Sequence, residues 1–297
     1  MSTQQAITKG VIAVAGSGTR FLPATKSLPK EMLPIIDKPI VHYVVEEMVN
    51  AGITDIVMVT RSDKKPLEDY FDQNALLEEE LRQANKLQDL EKVEKIHQMA
   101  NFIYIRQKPT SKASYGNGIP VLNASSIVGD EPFVFAYGDD LVKMDCPEAS
   151  FTQQLVENYE KNHAVVIGCQ EVPENETHLY GMIKLQEGSS KFVEEIIEKP
   201  DPGTAPSRLA AFGRFVLTPE ICQILQELEP GKGGELWLTD AIEAYIQHGK
   251  SVVAQPVQGG RWLTTGDPLH FLEALLEYAR EREEYWEGFK QYFLKLI

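Results

Sequence analysis

Residues 9–39 read Lys9-GVIAVAGSGTRFLPATKSLPKEMLPIIDKP. The apolar run Gly10-VIAVA-Gly16 is short, uncharged and closed by glycine, so it predicts a buried strand. The turn Ala15-Gly16-Ser17-Gly18-Thr19-Arg20 follows at that strand's carboxyl end. Glycines there let the backbone approach a ligand, with N–H groups aimed at phosphate oxygens. Arg20, Lys26 and Lys30 add three cations, which suits a triphosphate. The spacing lacks the third glycine of a dinucleotide-binding turn and the G-K-[ST] of a Walker A loop.

Outward from this stretch the chain alternates. Residues 39–52 predict a helix with Val41, Val44, Val45 and Met48 on one face, stopped by Gly52. Strands are expected over residues 53–60, 101–107, 132–138 and 164–170, with a helix near 118–127. Such alternation implies a mostly parallel sheet covered on both faces. From about residue 179 strands come closer together, at Tyr180–Leu185, Phe192–Glu198 and Ala210–Leu217, which predicts an antiparallel or mixed addition. Helices near 218–228 and 240–248 and a strand Ser251–Val257 follow. Thr239-Asp240 looks like an N-cap. The expected fold class is therefore α/β, three layers with a mixed central sheet and C-terminal helices.

Residues 72–99 interrupt the rhythm. Leu77, Leu81, Ala84, Leu87, Leu90 and Val93 recur at helical spacing in a charged stretch, predicting an amphipathic excursion packed on the flank, with a subunit contact or mobile lid as the functional alternative. The tail, 268–297, carries Leu272, Leu275, Leu276, Ala279, Trp286, Phe289 and Phe293 in one apolar stripe, which serves core closure or dimerisation. The organisation expected is one catalytic domain over 1–267, helical insertion included, with 268–297 as part of the same unit.

The 297 residues carry 44 acidic and 29 basic side chains, a net charge of −15. That surface repels phosphate backbones and argues against a nucleic-acid partner. No apolar run approaches the ~20 residues of a membrane span, and MSTQQAITKG has no signal-peptide core. Three separated cysteines favour neither a disulfide framework nor a zinc site. The expectation is a cytoplasmic protein without a membrane partner.

The order strand, G-x-G-T-R, then P-K-E-M-L-P-I-I-D-K-P resembles the N-terminal signature of the sugar-1-phosphate nucleotidyltransferases. Further matches follow in sequence: Arg106-Gln107, Gly138-Asp139-Asp140, Tyr180-Gly181, Glu198-Lys199-Pro200, Gly213-Arg214-Phe215 and Glu235-Leu236-Trp237-Leu238-Thr239-Asp240-Ala241. Together they cover residues 9 to about 280. As bare patterns some of these are bland, since G-D-D is good turn chemistry and E-K-P an ordinary strand end. The resemblance implies a Rossmann-like nucleotidyltransferase fold. The P-A-T-K wording and the 72–99 insertion are nearest to members acting on UTP and glucose 1-phosphate, giving UDP-glucose and pyrophosphate. Relatives using dTTP or GTP, and a non-catalytic UDP-sugar sensor, are the alternatives.

The resemblance also implies roles. Ala15, Gly16, Ser17, Gly18, Thr19, Glu31, Gln107 and Gly116 would bind the nucleotide, with uracil beside Ala15, Gly16, Glu31 and Gln107. Gly181, Glu198, Lys199 and Gly213 would bind the sugar phosphate. Arg20, Lys30, Asp139 and Lys199 would act in catalysis, Asp139 holding Mg²⁺, while Asp140 supports it or is solvated. A homodimer or homotetramer is implied. Two departures stand out. The loop Lys112-Ala113-Ser114-Tyr115-Gly116-Asn117-Gly118 replaces the family's K-G-L-G-H-A with one residue inserted, and Tyr115 offers an aromatic body to the base. In the late turn, Arg261-Trp262-Leu263-Thr264-Thr265-Gly266-Asp267, alignment on Gly266 puts Thr264 where the family has a second metal carboxylate.

Overall fold

The computed structural model describes residues 6–146 and 149–296. Residues 1–5, on which half of the leader expectation falls, and residue 297 at the end of the predicted tail lie outside the described residues.

In chain order, β1 (Lys9–Ala13) is followed by the small hairpin β2 (Pro34–Ile35) and β3 (Lys38–Pro39), then α1 (Ile40–Asn50) and β4 (Asp55–Thr60). Helices α2 (Lys65–Phe71), α3 (Ala75–Gln83) and α4 (Leu87–Gln98) lead to β5 (Asn101–Arg106), α5 (Gly118–Val128) and β6 (Phe133–Tyr137). Next come β7 (Asp140–Met144), α6 (Phe151–Asn162), β8 (Val165–Glu171), β9 (Gly181–Leu185), β10 (Val193–Glu198) and β11 (Leu209–Leu217). The chain continues through α7 (Pro219–Glu227), α8 (Leu238–Gln247), β12 (Val252–Pro256), β13 (Gly260–Thr264), α9 (Pro268–Ala279) and α10 (Glu283–Phe293).

The main sheet runs β10-β9-β11-β6-β1-β4-β5, with β8 and then β12 branching from β11. β6, β1, β4 and β5 are parallel, while β11 is antiparallel to β6, β8 and β9. Alternate residues of each strand face opposite layers, because the side-chain period of a strand is two. Ile12, Ile56, Met58, Val134 and Ala136 pack under α1 and α6. Val11, Val57, Val59, Phe133 and Phe135 pack under α5, α7 and α8. The three-layer expectation is met, and its mixed portion falls where the close strand spacing placed it.

Several local expectations are corrected. The strand at 164–170, read as part of a parallel series, is antiparallel to β11 and parallel only to β12. The stretch read as a late turn is mostly strand: β13 pairs with β7, Thr264 opposite Asp140, and the bend begins at Gly266. Thr239-Asp240 is not a cap, because α8 begins at Leu238 with Trp237 in the capping position. The insertion is a helical pair, α3 and α4, in which Leu90 is the one member of the apolar series that is buried; Leu77 and Leu87 are exposed. Among the described residues of the tail only Ala274 is buried, and Leu272, Leu276, Phe289 and Phe293 are exposed. Both segments are amphipathic and cover the core only in part: Ile96 of the insertion and Phe271, Ala274, Leu275 and Tyr278 of α9 pack on it, while the rest of the tail's stripe stays uncovered. No helix among the described residues is long and apolar enough to cross a membrane.

Candidate functional site

The carboxyl ends of β1, β4, β5 and β6 share one edge of the sheet, the edge where open α/β sheets bind ligands. From β1 the chain enters the glycine turn. Gly18 has φ 64, a left-handed conformation that needs glycine, and Thr25 Oγ1 donates to its carbonyl at 2.6 Å. Gly16 lies under the Lys30 side chain, so that a Cβ there would come within 3.3 Å of Lys30 Cε. Ser17, Thr19 and Arg20 are exposed on the same turn, and Ala15 is buried at its base.

The Lys30 ammonium is paired with Asp139 Oδ2. Burial alone would push its pKa down, but the carboxylates of Asp139 and Glu31 outweigh burial and hold it above the ordinary lysine value. Glu31 is 1% exposed and pairs with the equally hidden Lys64 at 2.6 Å. Burial raises the Glu31 pKa against the opposing pull of Lys64, and lowers that of Lys64 against the pull of Glu31. Gly16, Ser17, Lys26, Lys30, Arg61 and Lys64 line one small basic pocket.

Asp139 follows β6 at the centre of the site. Gly138 N–H donates to Ala13 C=O, which ties this turn to the end of β1. Asp139 C=O accepts from both the N–H (3.1 Å) and the hydroxyl (2.6 Å) of Thr265. The Thr264 hydroxyl and Asp139 Oδ2 both adjoin Gly266, 3.4 and 4.0 Å from where its Cβ would stand. Arg20 Nη1 donates to Gly266 C=O at 3.3 Å. Thr264 and Asp139 thus border Gly266 from two sides. Asp140 is buried, not solvated, and accepts from Gly213 N–H at 3.0 Å. Burial, aided by the Asp139 charge, pushes its carboxyl up to about 6.

Arg214, fully buried on β11, braces this turn. It pairs through two nitrogens with Glu47 and donates to the carbonyls of Tyr137 (3.5 Å) and Asp140 (3.0 Å), one on each side of Gly138-Asp139. Removing one partner of such a pair leaves an uncompensated charge and costs about 3–5 kcal/mol.

The floor continues to the other end of the site. The Tyr137 ring covers Gly213, where a Cβ would meet it at 2.4 Å. Asn117 donates to Tyr137 Oη (2.6 Å) and accepts from Leu238 N–H (2.7 Å), joining this floor to the start of α8. Glu198, at the end of β10, accepts from the Thr239 hydroxyl at 2.8 Å, and Gly181 lies against both residues. Burial pushes the Glu198 carboxyl up, with Thr239 and Lys199 opposing. Lys199 follows at φ 42, a left-handed conformation uncommon outside glycine. Its ammonium sits 3.5 Å from Glu198 and 4.2 Å from the centroid of the Trp237 ring.

The expected site residues therefore gather along one edge, from Gly16 through Lys30, Asp139, Gly213 and Glu198 to Lys199. Gln107 lies at the same edge just past β5, its N–H donating to Thr60 C=O at 2.7 Å. Gly116 is different. A Cβ there would collide with the Leu236 backbone at 2.2 Å, so protein packing already accounts for this glycine. Tyr115 beside it is 73% exposed. Sequence reasoning missed Lys64, Trp237, Asn117 and Tyr137. Lys64 was findable, since it follows the carboxyl end of a strand that had been recognised. Asn117 and Trp237 had no local signal, because their partners lie far along the chain. A surface cavity lined by residues such as Asp130, His163 and Glu220 opens at the opposite ends of β6 and β8 and belongs to none of this.

No group of three or more His, Cys, Asp and Glu side chains among the described residues is placed to hold a metal ion. Beside Gly266 stand two oxygen donors, the Asp139 carboxylate and the Thr264 hydroxyl. Such a sparse set of hard donors fits Mg²⁺, which commonly keeps waters and is held by one or two carboxylates together with substrate phosphates. It does not fit a closed zinc site.

A family model described as nucleotidyl transferase matches residues 9–281. The UTP–glucose-1-phosphate uridylyltransferase of Bacillus subtilis (strain 168) is 45% identical over 280 residues, which cover 94% of this chain and 93% of that protein. A Staphylococcus epidermidis protein of the same name is 44% identical over 292 residues, 98% of each. Among solved structures, UTP-bound UGPase from Acinetobacter baumannii superposes with a TM-score of 0.86 at 37% identity, covering 98% of this chain and 100% of that one. UDP-glucose pyrophosphorylase complexed with UDP-glucose superposes with a TM-score of 0.81 at 35% identity, over 93% and 99% of the two chains.

Proposed function

The chain belongs to the nucleotidyl transferase family, and we propose on that premise that it transfers a uridylyl group from UTP to α-D-glucose 1-phosphate, giving UDP-glucose and pyrophosphate. The observation that carries this is the near full-length identity to the uridylyltransferases of that name. The site is consistent with it, having cations at one end, a carboxylate in the middle and an acid–base pair at the other.

The sugar-phosphate oxygen attacks the α-phosphorus in line and pyrophosphate leaves. The nucleophile is already anionic, so no Ser, Cys or His is required to activate it. What remains for the protein is positioning and charge stabilisation. In our reading the N–H groups of the glycine turn, with Arg20 and Lys30, hold the triphosphate and offset charge growing on the leaving pyrophosphate. Ala15, Gly16 and Gln107 flank the uracil, and the Lys64 pair fixes Glu31 below it. Glu198 and the Gly181 and Gly213 backbones receive the sugar hydroxyls. Lys199 holds the incoming phosphate. Asp139, helped by Thr264, would hold Mg²⁺, which when bound neutralises charge on the α-phosphate.

Three further elements of the proposal are coarser. Residues 1–267 and the tail 268–297 act as one unit. The uncovered apolar side chains Leu272, Leu276, Phe289 and Phe293 support self-association into a homodimer or homotetramer. A cytoplasmic location suits the buried thiols of Cys169 and Cys222.

Pyrophosphate release, measured for four nucleoside triphosphates against glucose 1-phosphate and other sugar 1-phosphates, tests the reading. UTP with glucose 1-phosphate should give the highest kcat/KM. A different pair exceeding it tenfold would overturn the assignment of substrates.

A further inference from the structure

We infer that Trp237 is a positioning residue for the sugar-phosphate half of the reaction, its ring face holding the Lys199 ammonium ready for the incoming phosphate. This rests on the proposed role of Lys199 as the phosphate-holding cation.

Lys199 stands in a difficult place for a residue with that task. Its side chain is 42% exposed and four rotatable bonds long. Its carboxylate neighbour Glu198 is 3.5 Å away, and Glu198 itself is engaged by Thr239 at 2.8 Å. A tight Lys199–Glu198 pair would occupy the donors and spend the charge that the phosphate needs. The indole offers another restraint. With Nζ 4.2 Å from the ring centroid, the π-face attracts the ammonium without neutralising it and without taking its N–H groups into strong hydrogen bonds. The donors not turned toward Glu198 stay available to an anion.

The ring is itself held. Trp237 is 9% exposed, and its Nε1–H donates to Lys232 C=O at 2.9 Å. Lys232 Nζ in turn donates to Lys199 C=O at 2.7 Å and approaches Asp201 at 3.3 Å. The Lys199 backbone, at φ 42, and its side chain are thus both referred to the segment 232–237. That segment leads directly into α8, whose Thr239 holds Glu198. Trp237 and Thr239 therefore fix the two members of the Glu198-Lys199 pair from one short stretch of chain.

The test compares Trp237→Phe, Trp237→Leu, Lys199→Ala and the double variant Lys199→Ala/Trp237→Leu. For each, kcat and the KM for UTP and for glucose 1-phosphate are measured, with thermal unfolding as a control for folding. Trp237→Leu should raise the KM for glucose 1-phosphate about two- to fivefold, the ratio expected for a cation–π contact at a partly exposed site. The KM for UTP should stay put, and Trp237→Phe should fall between. In the Lys199→Ala background Trp237→Leu should add nothing. If Trp237→Leu does not fold, Trp237→Phe and Trp237→Tyr carry the test, and a wild-type KM for glucose 1-phosphate in both overturns the inference. Equal rises for both substrates, or a Trp237 effect undiminished without Lys199, would reduce the tryptophan to a packing residue. If Lys199→Ala leaves glucose 1-phosphate use unchanged, the role of Lys199 fails first, and the inference with it. If Lys199→Ala has its effect while the tryptophan variants are silent, only the inference fails.

Discussion

At the proposed nucleotide end of the site, charges are paired: Glu31 with Lys64, hidden at 1% and 3% exposure, and Lys30 with Asp139, half-buried. At the proposed sugar end, Lys199 is 42% exposed and leans on an aromatic ring. The buried end lies where four parallel strands deliver their carboxyl ends under loops packed on the core. The open end is built from β10 and the segment before α8, at the sheet's antiparallel edge. Buried charges are rigid and strongly coupled, because little water screens them. Exposed ones act singly and weakly. Substitutions should accordingly be costly and non-additive at the first end, and mild and separable at the second.

The sharpest break is Asp139→Asn. It keeps the shape of the turn, whose backbone is held by Thr265 and Arg214, and removes the carboxylate proposed for Mg²⁺. Mg²⁺-dependent turnover should be lost and the fold retained, with thermal stability lowered because the Lys30 ammonium loses its carboxylate partner. A metal-dependent, active Asp139→Asn protein would mean that another group holds the ion.

Lys64→Met follows in size. It strands the Glu31 carboxylate in the interior, which should cost about 3–5 kcal/mol of stability. Burial already raises the Glu31 pKa, and loss of Lys64 raises it further. The penalty is then full at neutral pH and shrinks as pH falls and Glu31 takes up a proton. Urea unfolding at pH 7 and pH 5 reads this difference. The double variant Glu31→Gln/Lys64→Met should recover most of the loss; additive penalties would show that the two charges are not coupled.

Asp140 sharpens the comparison through pH. Its folded-state pKa is raised from 3.8 to about 6. The unfolded chain therefore releases this proton first, and stability falls as pH rises from about 4 to about 6. The contribution is at most about 3 kcal/mol. Asp140→Asn cannot titrate, so its stability, measured over the same range, should decline less than that of the wild type by up to this amount. Parallel curves would place the Asp140 pKa near its ordinary value.

Thr264→Asp should have the smallest effect. Thr264 adjoins Asp139 across Gly266, so a carboxylate there should lower the Mg²⁺ concentration for half-maximal activity a few-fold, partly offset by repulsion with Asp139. A Mg²⁺ titration at saturating substrates measures it. An unchanged midpoint would mean that the new carboxylate faces away from the ion.

Most of the layered fold could be read directly. The runs at β1, β4 and β6 have continuous apolar centres, as strands covered on both faces do, and the 3.6-residue pattern of α1 marks its buried side. Chain direction could not be read from them. β8 has the composition of a parallel strand yet lies antiparallel to β11, since burial on two faces selects apolar residues whichever way a strand runs. The β7–β13 ribbon was missed because Asp140 and Thr264 are polar and next to turn residues, and their pairing across more than a hundred residues leaves no local trace.

The sequence by itself determined the site's chemical inventory. The glycine turn, Lys30, Asp139, Glu198 and Lys199 are picked out by the family resemblance, and Asp139, Glu198 and the glycine turn also by their position at strand ends. Only the tertiary structure decided which of them are spent on one another. It gave Glu31 to Lys64, set Thr264 and Asp139 on two sides of Gly266, drew Arg214 under the Gly138-Asp139 turn and turned Thr239 from a supposed cap into a partner of Glu198. Local propensity acts over a few residues. A buried charge or hydroxyl is satisfied by whatever group the packed layers bring within about 3 Å, and that group can come from anywhere in the chain.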